Sequence, residues 1–385
     1  MERQTQLEQV RRLLHHVETR STDLAEAPYA NPVTDYTCPE QFARERQVLF
    51  RDTPLVLALG CDLPRSGDWL AHDLAGVPVL LVRNARGQLN AFLNVCRHRG
   101  SRVASDAGSG RHVFTCPYHA WSYDLDGRLV GVPSGECFGM PDRDGIGLVR
   151  LPVVERYGFA WVRLTPGGAV DVDAHLGGLT PELAAYGFAR YHHYGTRRLD
   201  RRMNWKLVVD TFLETYHIPV LHRDSIAPIF FGNLATFESF DLHLRMVAAR
   251  RTLAELRERP RDTWDLVPHS AIVYVVFPNL VLIMQGDHLE TWRVYPGATV
   301  DESVMELSLY TPESAETEKA RRYWDKNLDL TLRTVEGEDF PLAEGMQRGF
   351  YSGAQPCVTY GRNEPALAHF HRSVRRALGL PPVTS

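Results

Sequence analysis

Residues Asn94–Gly100 read NVCRHRG, and residues Cys116–Trp121 read CPYHAW. Each stretch offers one cysteine and one histidine, and seventeen residues lie between His98 and Cys116. Two thiolates and two imidazoles suit either tetrahedral zinc or a two-iron cluster with mixed ligands. A cluster would place the two thiolates on one iron and the two neutral imidazoles on the other, which raises its potential. Spacing alone leaves both metals open.

Composition narrows the setting. The chain has 385 residues, 44% of them hydrophobic and 23% charged, which is a globular balance with room for more than one domain. Lys and Arg number 43 against 47 Asp and Glu, so no basic surplus exists to neutralise phosphates, and no nucleic-acid partner is expected. No apolar run approaches the length of a membrane span, and MERQTQLEQVRRLLHHVETR lacks the apolar core of a signal peptide. A cytoplasmic protein without a membrane partner is expected. Its cysteines, 38, 61, 96, 116, 137 and 357, are expected to be reduced, with Cys38, Cys61, Cys137 and Cys357 as bystanders.

The pattern along the chain predicts an α+β protein in three segments. Leu7, Val10, Leu13 and Leu14 recur at helical spacing, so 1–54 reads as a helical segment packing on the C-terminal domain. From 55 to 165, short Val- and Leu-rich runs alternate with Gly, Asp and Asn turns, as NARGQ does between VPVLLVRN and LNAFLNV. This is a small all-β domain with both Cys/His stretches in its loops. Residues 166–385 predict an antiparallel sheet covered by helices, with a helix from Trp205 to Tyr216 that Pro219 ends or kinks.

A second constellation lies in NWKLVVDTFLETYHIPVLH, residues 204–222. His217 and His222 are five residues apart, about 140° around an ideal helix, so they would not share a face. Pro219 between them would let His222 swing back onto the same metal. Two histidines and one carboxylate make the facial triad of non-haem iron oxygenases. In TVEGEDFPLAEG, the acids available are Glu336, Glu338, Asp339 and Glu344.

Cys96-x-His98-Arg-Gly and Cys116-Pro-Tyr-His119-x-Trp121 together resemble the cluster motif of Rieske proteins, specifically the oxygenase subunits of Rieske non-haem iron oxygenases, the aromatic-ring-hydroxylating dioxygenase family. The resemblance covers nearly the whole chain. It implies a [2Fe-2S] cluster with Cys96 and Cys116 on one iron and His98 and His119 on the other. It also implies a mononuclear Fe(II) on His217, His222 and Asp339, because the four acids match the family's E-x-(D/E)-D-x-x-x-x-E stretch in register. Glu214, three residues before His217, stands where the family usually has Asp. There it would hydrogen-bond His217 and bridge the iron to the cluster of a neighbouring subunit through His119. Thr211 stands where many ring dioxygenases have Asn.

Function is expected to follow from the two centres together. The chain would be a terminal oxygenase using O₂ and single electrons. No G-x-G-x-x-G segment is present to bind a nicotinamide, so NAD(P)H would act only through a separate reductase or ferredoxin. A homotrimer is implied, with a small β subunit in some relatives. The expected substrate is an apolar, aromatic small molecule to be mono- or dioxygenated, as in aromatic hydrocarbon catabolism. Its pocket is expected to be lined by Phe230, Phe231, Phe237, Val275, Phe277 and Met284. One alternative is hydroxylation-driven demethylation or C–N cleavage of a methoxyarene or a quaternary ammonium compound held in an aromatic cage. Another is a Rieske electron carrier without oxygenase activity.

Overall fold

The computed structural model describes residues 1–73, 76–139 and 144–383, and it divides into two compact units. The smaller comprises Phe50–His175 with 188–190; the larger comprises 1–49, 176–187 and 191–385. Both are antiparallel throughout their described strands, and the helices gather in the larger, which makes the chain α+β.

The smaller unit holds three sheets. Arg150–Leu151, Leu89–Leu93, Val79–Arg83, Trp69–His72 and Ala107–Gly108 form one; Val153–Arg156, Phe159–Val162 and Leu55–Leu59 form the second. The third is Val113–Thr115, Ser122–Asp124 and Leu129–Gly131. The unit extends beyond 55–165 at both ends for local reasons. Leu164 and Thr165 donate backbone N–H groups to the Arg51 carbonyl, and Arg156 pairs with Asp173 at 2.6 Å. A tight turn at Gly127 closes the core: φ is +79°, and any Cβ there would lie 2.4 Å from the Phe92 ring.

The larger unit is built on a seven-stranded sheet. Its order is His192–Arg201, Ser303–Thr311, His288–Pro296, Leu280–Gln285, Ser270–Val276, His243–Arg250, Phe230–Phe240. The stretch ATFESFDLHLRMVAA forms a hairpin that turns at Asp241, with φ +54°. The N-terminal helix Arg3–Thr19 buries Val10, Leu13 and Leu14 and packs on the edge strand Phe230–Phe240.

The helix expected from Trp205 to Tyr216 ends at Asp210. Its start is capped by the Asn204 side chain, which accepts from the Lys206 N–H at 3.0 Å. Its end comes from competition. The Thr211 hydroxyl donates to the Val208 carbonyl at 2.8 Å, and the N–H groups of Phe212 and Leu213 bond three residues back instead of four. Pro219 therefore breaks nothing. It sits in the first turn of a separate one-turn helix, Ile218–Leu221, where a missing N–H costs little.

A buried ion pair fixes the helix Trp205–Asp210. Lys206 Nζ lies 2.6 and 2.7 Å from the two carboxyl oxygens of Glu45, both side chains are fully buried, and Trp205 Nε1 donates to Glu45 Oε2 at 2.8 Å. Removing one partner of such a pair strands the other charge away from water. Glu45→Ala should therefore lower stability by about 3–5 kcal/mol. Denaturant unfolding of the holoprotein checks this; a loss under 1 kcal/mol would show that the lysine finds water.

Candidate metal centres and the cavity beside them

In the smaller unit the two Cys/His loops meet over one core. Cys96 and Cys116 are buried among Phe92, Phe114, Trp121 and Tyr123. The first loop reverses by a bond from the Gly100 N–H to the Cys96 carbonyl, 3.0 Å, with Gly100 at φ +81°. The second does the same from Ala120 to Cys116, 3.0 Å. The rings of His98 and His119 lie 4.6 Å apart between centroids, and Trp121 stacks on His98 at 5.0 Å. His98 Nδ1 is buried without a hydrogen-bond partner among the described residues, as suits a ring nitrogen kept for a metal. The Tyr123 hydroxyl lies 3.4 Å from Cys96 Sγ and accepts from the Arg97 N–H at 2.9 Å. Two thiols, two imidazoles and a buried site fit a mixed-ligand cluster.

In the larger unit, His217, His222 and Asp339 each direct one donor atom to a common point, all within 4.8 Å of one another. His217 Nε2 and His222 Nε2 are 3.0 Å apart, and Asp339 Oδ1 is 3.6 and 3.2 Å from them. The histidines flank the one-turn helix Ile218–Leu221, so a single turn closes the five-residue gap. Asp339 ends a π-helical segment, Val335–Asp339, between the helices Glu318–Thr334 and Phe340–Phe350. Such bulges re-aim one side chain out of a regular helix. The donor set fits a divalent metal with positions left open.

The outward ring nitrogens are held by carboxylates. His217 Nδ1 bonds Glu214 Oε1, while Glu214 Oε2 accepts the N–H groups of Tyr216 and His217. His222 Nδ1 bonds Glu338 Oε2, which also accepts from the Ser225 hydroxyl at 2.7 Å. Burial alone would pull His222 down in pKa, but Asp339 and Glu338 outweigh it and raise it. Burial would likewise raise Glu338, yet the bonds from His222 and Ser225 hold it below the usual range. The other acids lie apart: Glu336 pairs with Arg201, and Glu344 accepts from the Arg202 N–H at 3.2 Å.

A cavity of about 250 Å³ opens on the His217–His222–Asp339 cluster. Of the six apolar residues expected to line it, Phe230 does; Phe231, Phe237, Val275, Phe277 and Met284 do not. Sheet geometry explains this. Met284 alternates to the face opposite Ile283 and Gln285, which line the cavity, while Val275 lies farther along its strand than Ala271 and Val273, and Phe277 lies just past that strand's end. Phe231 lies under Arg251, and Phe237 packs on His369. Instead of an aromatic cage, the wall has two phenylalanines, Phe212 and Phe230. Thr211 also lines it. Polar residues that were missed, among them Arg250, Gln285 and Glu290, share the lining; polar side chains at alternate positions in otherwise apolar strands were their signal.

A thiol- and imidazole-bearing β-rich unit and a sheet-and-helix unit with a three-donor site, in one chain, define a two-centre metalloprotein. Two family descriptions match: "Rieske [2Fe-2S] domain" over 53–152 and "Ring hydroxylating alpha subunit (catalytic domain)" over 188–380. The glycine betaine monooxygenase oxygenase subunit of Chromohalobacter salexigens is 33% identical over 379 residues, covering 86% of this chain and 81% of its own. A quaternary ammonium Rieske monooxygenase solved with L-carnitine superposes with a TM-score of 0.77 at 21% identity, over 92% of this chain and 96% of that one. Naphthalene 1,2-dioxygenase from Rhodococcus sp., bound to indole, gives 0.74 at 19% identity, over 97% and 98%. These two likenesses establish the fold. The chain belongs to the Rieske oxygenase alpha subunits, and it is an oxidoreductase, the terminal oxygenase of a system that draws electrons from a reductase. Its cofactors are a [2Fe-2S] cluster and a mononuclear iron.

The first Cys/His loop depends on Asn94, which is buried. Its Oδ1 accepts from Val103 and Ala104 at 3.0 and 3.2 Å, and its Nδ2 donates to the Ala104 carbonyl at 2.8 Å. Asn94→Ala would leave these backbone groups buried and unpaired, so it should cost about 2–4 kcal/mol. Thermal unfolding of the holoprotein reads this, with earlier loss of the visible cluster absorbance; an unchanged midpoint would mean that water replaces the amide.

Proposed function

We propose that Cys96, Cys116, His98 and His119 hold the cluster and that His217, His222 and Asp339 hold the mononuclear iron. When bound, that iron activates O₂ with electrons passed on from the cluster. The observation that carries this reading is the convergence of three donors at the cavity, with both outward ring nitrogens already held by Glu214 and Glu338. Those carboxylates fix each imidazole's tautomer and rotation, which is what an outer layer of partners supplies at metal sites.

The substrate we propose is a quaternary ammonium compound oxidised at an N-methyl group. The net change would consume O₂, two electrons and two protons, forming a hydroxymethyl group and water; loss of formaldehyde then releases the amine. Similarity to a glycine betaine monooxygenase along 86% of the chain supports this. A second reading, hydroxylation of an aromatic ring, draws on the apolar wall of Ile226, Ile229, Met246, Val273 and Ile283.

We further propose a homotrimer in which electrons pass from His119 of one subunit toward Glu214 of the next. Exposed apolar side chains lie beside both residues: Tyr118 is 57% exposed, Tyr216 62% and Val220 79%. Burying them against a neighbour would offset their exposure to water. A cytoplasmic setting, where reduced nicotinamide and a reductase are at hand, completes the reading. No described helix is long and apolar enough to cross a membrane.

Asp339→Ala should keep two irons per chain, lose the third, and abolish substrate-dependent O₂ uptake, as iron analysis and oxygen-electrode traces would show. Full turnover with three irons would shift the third ligand elsewhere. Tyr123→Phe should lower the cluster's midpoint potential, because it removes a hydrogen bond to a ligand sulfur. A spectroscopic redox titration measures this, and an unshifted potential would mean that the hydroxyl does not bond Cys96.

A further inference from the structure

The cavity's walls differ in kind from one end to the other. Across the sheet, Met246 pairs with Val273 and Val273 with Ile283, giving an apolar row. That row ends on Glu290, which pairs with Ile283; one row along, Ala248, Ala271, Gln285 and His288 stand side by side, and Arg250 follows Ala248 two residues on along its strand. The helix Glu318–Thr334 lies over them, and Asn327, Leu330, Thr331 and Thr334 face the cavity at i, i+3, i+4 and i+7. Thr331 precedes Asp339 by eight residues, on the order of 12 Å along a helix. The polar group is therefore remote from the proposed iron site.

Two atoms of this group lack what buried polar atoms normally have. Glu290 is 1% exposed; its Oε1 accepts from Thr331 at 2.7 Å and lies 3.4 Å from His288 Nε2 and 3.5 Å from Gln285 Nε2. Its Oε2 is buried without a hydrogen-bond partner among the described residues, and so is Arg250 Nε. Arg250 donates from Nη2 to Gln285 Oε1 at 3.2 Å and lies over the Phe230 ring, but no described carboxylate forms an ion pair with it. An arginine that lines a cavity with its Nε buried and unpaired, and with Asp287 and Glu290 near but not bonded to it, can take an anion, and a buried carboxyl oxygen without a donor wants an N–H or O–H. His288 adds positive charge. Burial would lower its pKa, but Asp287 and Glu290 raise it to about 9. Asp287, on the ring's other nitrogen, is half exposed and does not line the cavity. The lining at this end thus has two cationic side chains, Arg250 and His288, against one acid, Glu290.

We propose that this end of the cavity binds the substrate's polar head: a carboxylate on Arg250, with a neighbouring O–H or N–H donor on Glu290. The substrate is then elongated, with the oxidised carbon at one end and this head at the other. The inference rests on reading the three-donor site as the oxygenase centre, and it adds a specificity that neither metal site carries. Arg250 and Glu290 are substrate-binding residues here.

The test is a binding series on the wild-type holoenzyme, read by calorimetry, in which only the head group changes. L-Carnitine carries carboxylate and hydroxyl, γ-butyrobetaine only the carboxylate, choline only the hydroxyl; glycine betaine has the carboxylate on too short a chain. An aryl series of mandelate, phenylacetate and benzyl alcohol repeats the comparison without the ammonium group. In whichever series binds, the carboxylate should improve affinity about 30-fold, as expected for a charge-assisted pair, and the hydroxyl by a further few-fold. Glycine betaine should bind at least about tenfold more weakly than γ-butyrobetaine. Arg250→Gln should remove the preference for carboxylate, and Glu290→Gln should shrink the hydroxyl increment without removing that preference; KM should rise more than kcat falls. Binding confined to the aryl series would overturn the quaternary ammonium reading and keep the head site. Affinity indifferent to the carboxylate in both series, or binding in neither, would overturn the head site, and that outcome needs no variant to fold.

Discussion

Each imidazole of the larger unit's donor cluster has two nitrogens, and only one of them can face Asp339. The other must be held, or the ring is free to rotate and to exchange its proton between nitrogens. Glu214 and Glu338 meet that requirement from opposite directions in the sequence. Glu214 is local, three residues before His217, and uses its second oxygen to accept the N–H groups that open the following turn. Glu338 is distant from His222 by over a hundred residues but adjacent to Asp339. Orientation of the histidines is thus tied to the π-helical segment that carries the third donor.

That coupling makes the helix Glu318–Thr334 and its π-helical continuation the organising element of the larger unit. Its inward face lies over the cavity, Thr331 bonds Glu290, and its end presents Asp339. The opposite wall is sheet, where alternate residues share a face and neighbouring strands set the rows. A regular helix would continue its 100° steps past Thr334, whereas the wider π turn changes the phase, and with it the direction in which Asp339 points. Thr331, which bonds Glu290, and Asp339 thus lie on one continuous element, separated by length rather than by fold.

Much of this was legible in the sequence where chemistry forces residue type. Two Cys/His pairs in turn-rich loops, two histidines around Pro219 and a run of four acids narrow the metal sites to a few side chains. The α+β organisation followed from periodicity. What escaped was three-dimensional phase. Phe231, Phe237, Val275, Phe277 and Met284 look like pocket residues by composition, but a strand has two faces and a length. The sequence does not say which face meets the helix, or where along the strand the cavity lies. The helix from Trp205 was over-extended because its end is set by the Thr211 hydroxyl and not by the proline that follows. Arg250 and Glu290 carried a sequence signal, polar side chains at alternate positions in apolar strands, but that their Nε and Oε2 stay unpaired shows only in three dimensions.

Glutamate rather than aspartate at 214 has a consequence for the proposed bridge between subunits. The carboxyl of Glu214 is already engaged within its own segment, with Oε1 on the His217 ring and Oε2 on two backbone N–H groups. Each carboxylate oxygen has two lone-pair directions, so a donor from a neighbouring His119 would have to approach on what these bonds leave open, chiefly at Oε1. The extra methylene lets the carboxyl fold back over its own backbone while keeping that direction available. A shorter aspartate reaches the same N–H groups as an ordinary capping residue, but its carboxyl lies nearer its own main chain. Glu214 can therefore hold the turn, orient His217 and still present one acceptor outward. Shape, more than charge, distinguishes it from the aspartate usual at this position.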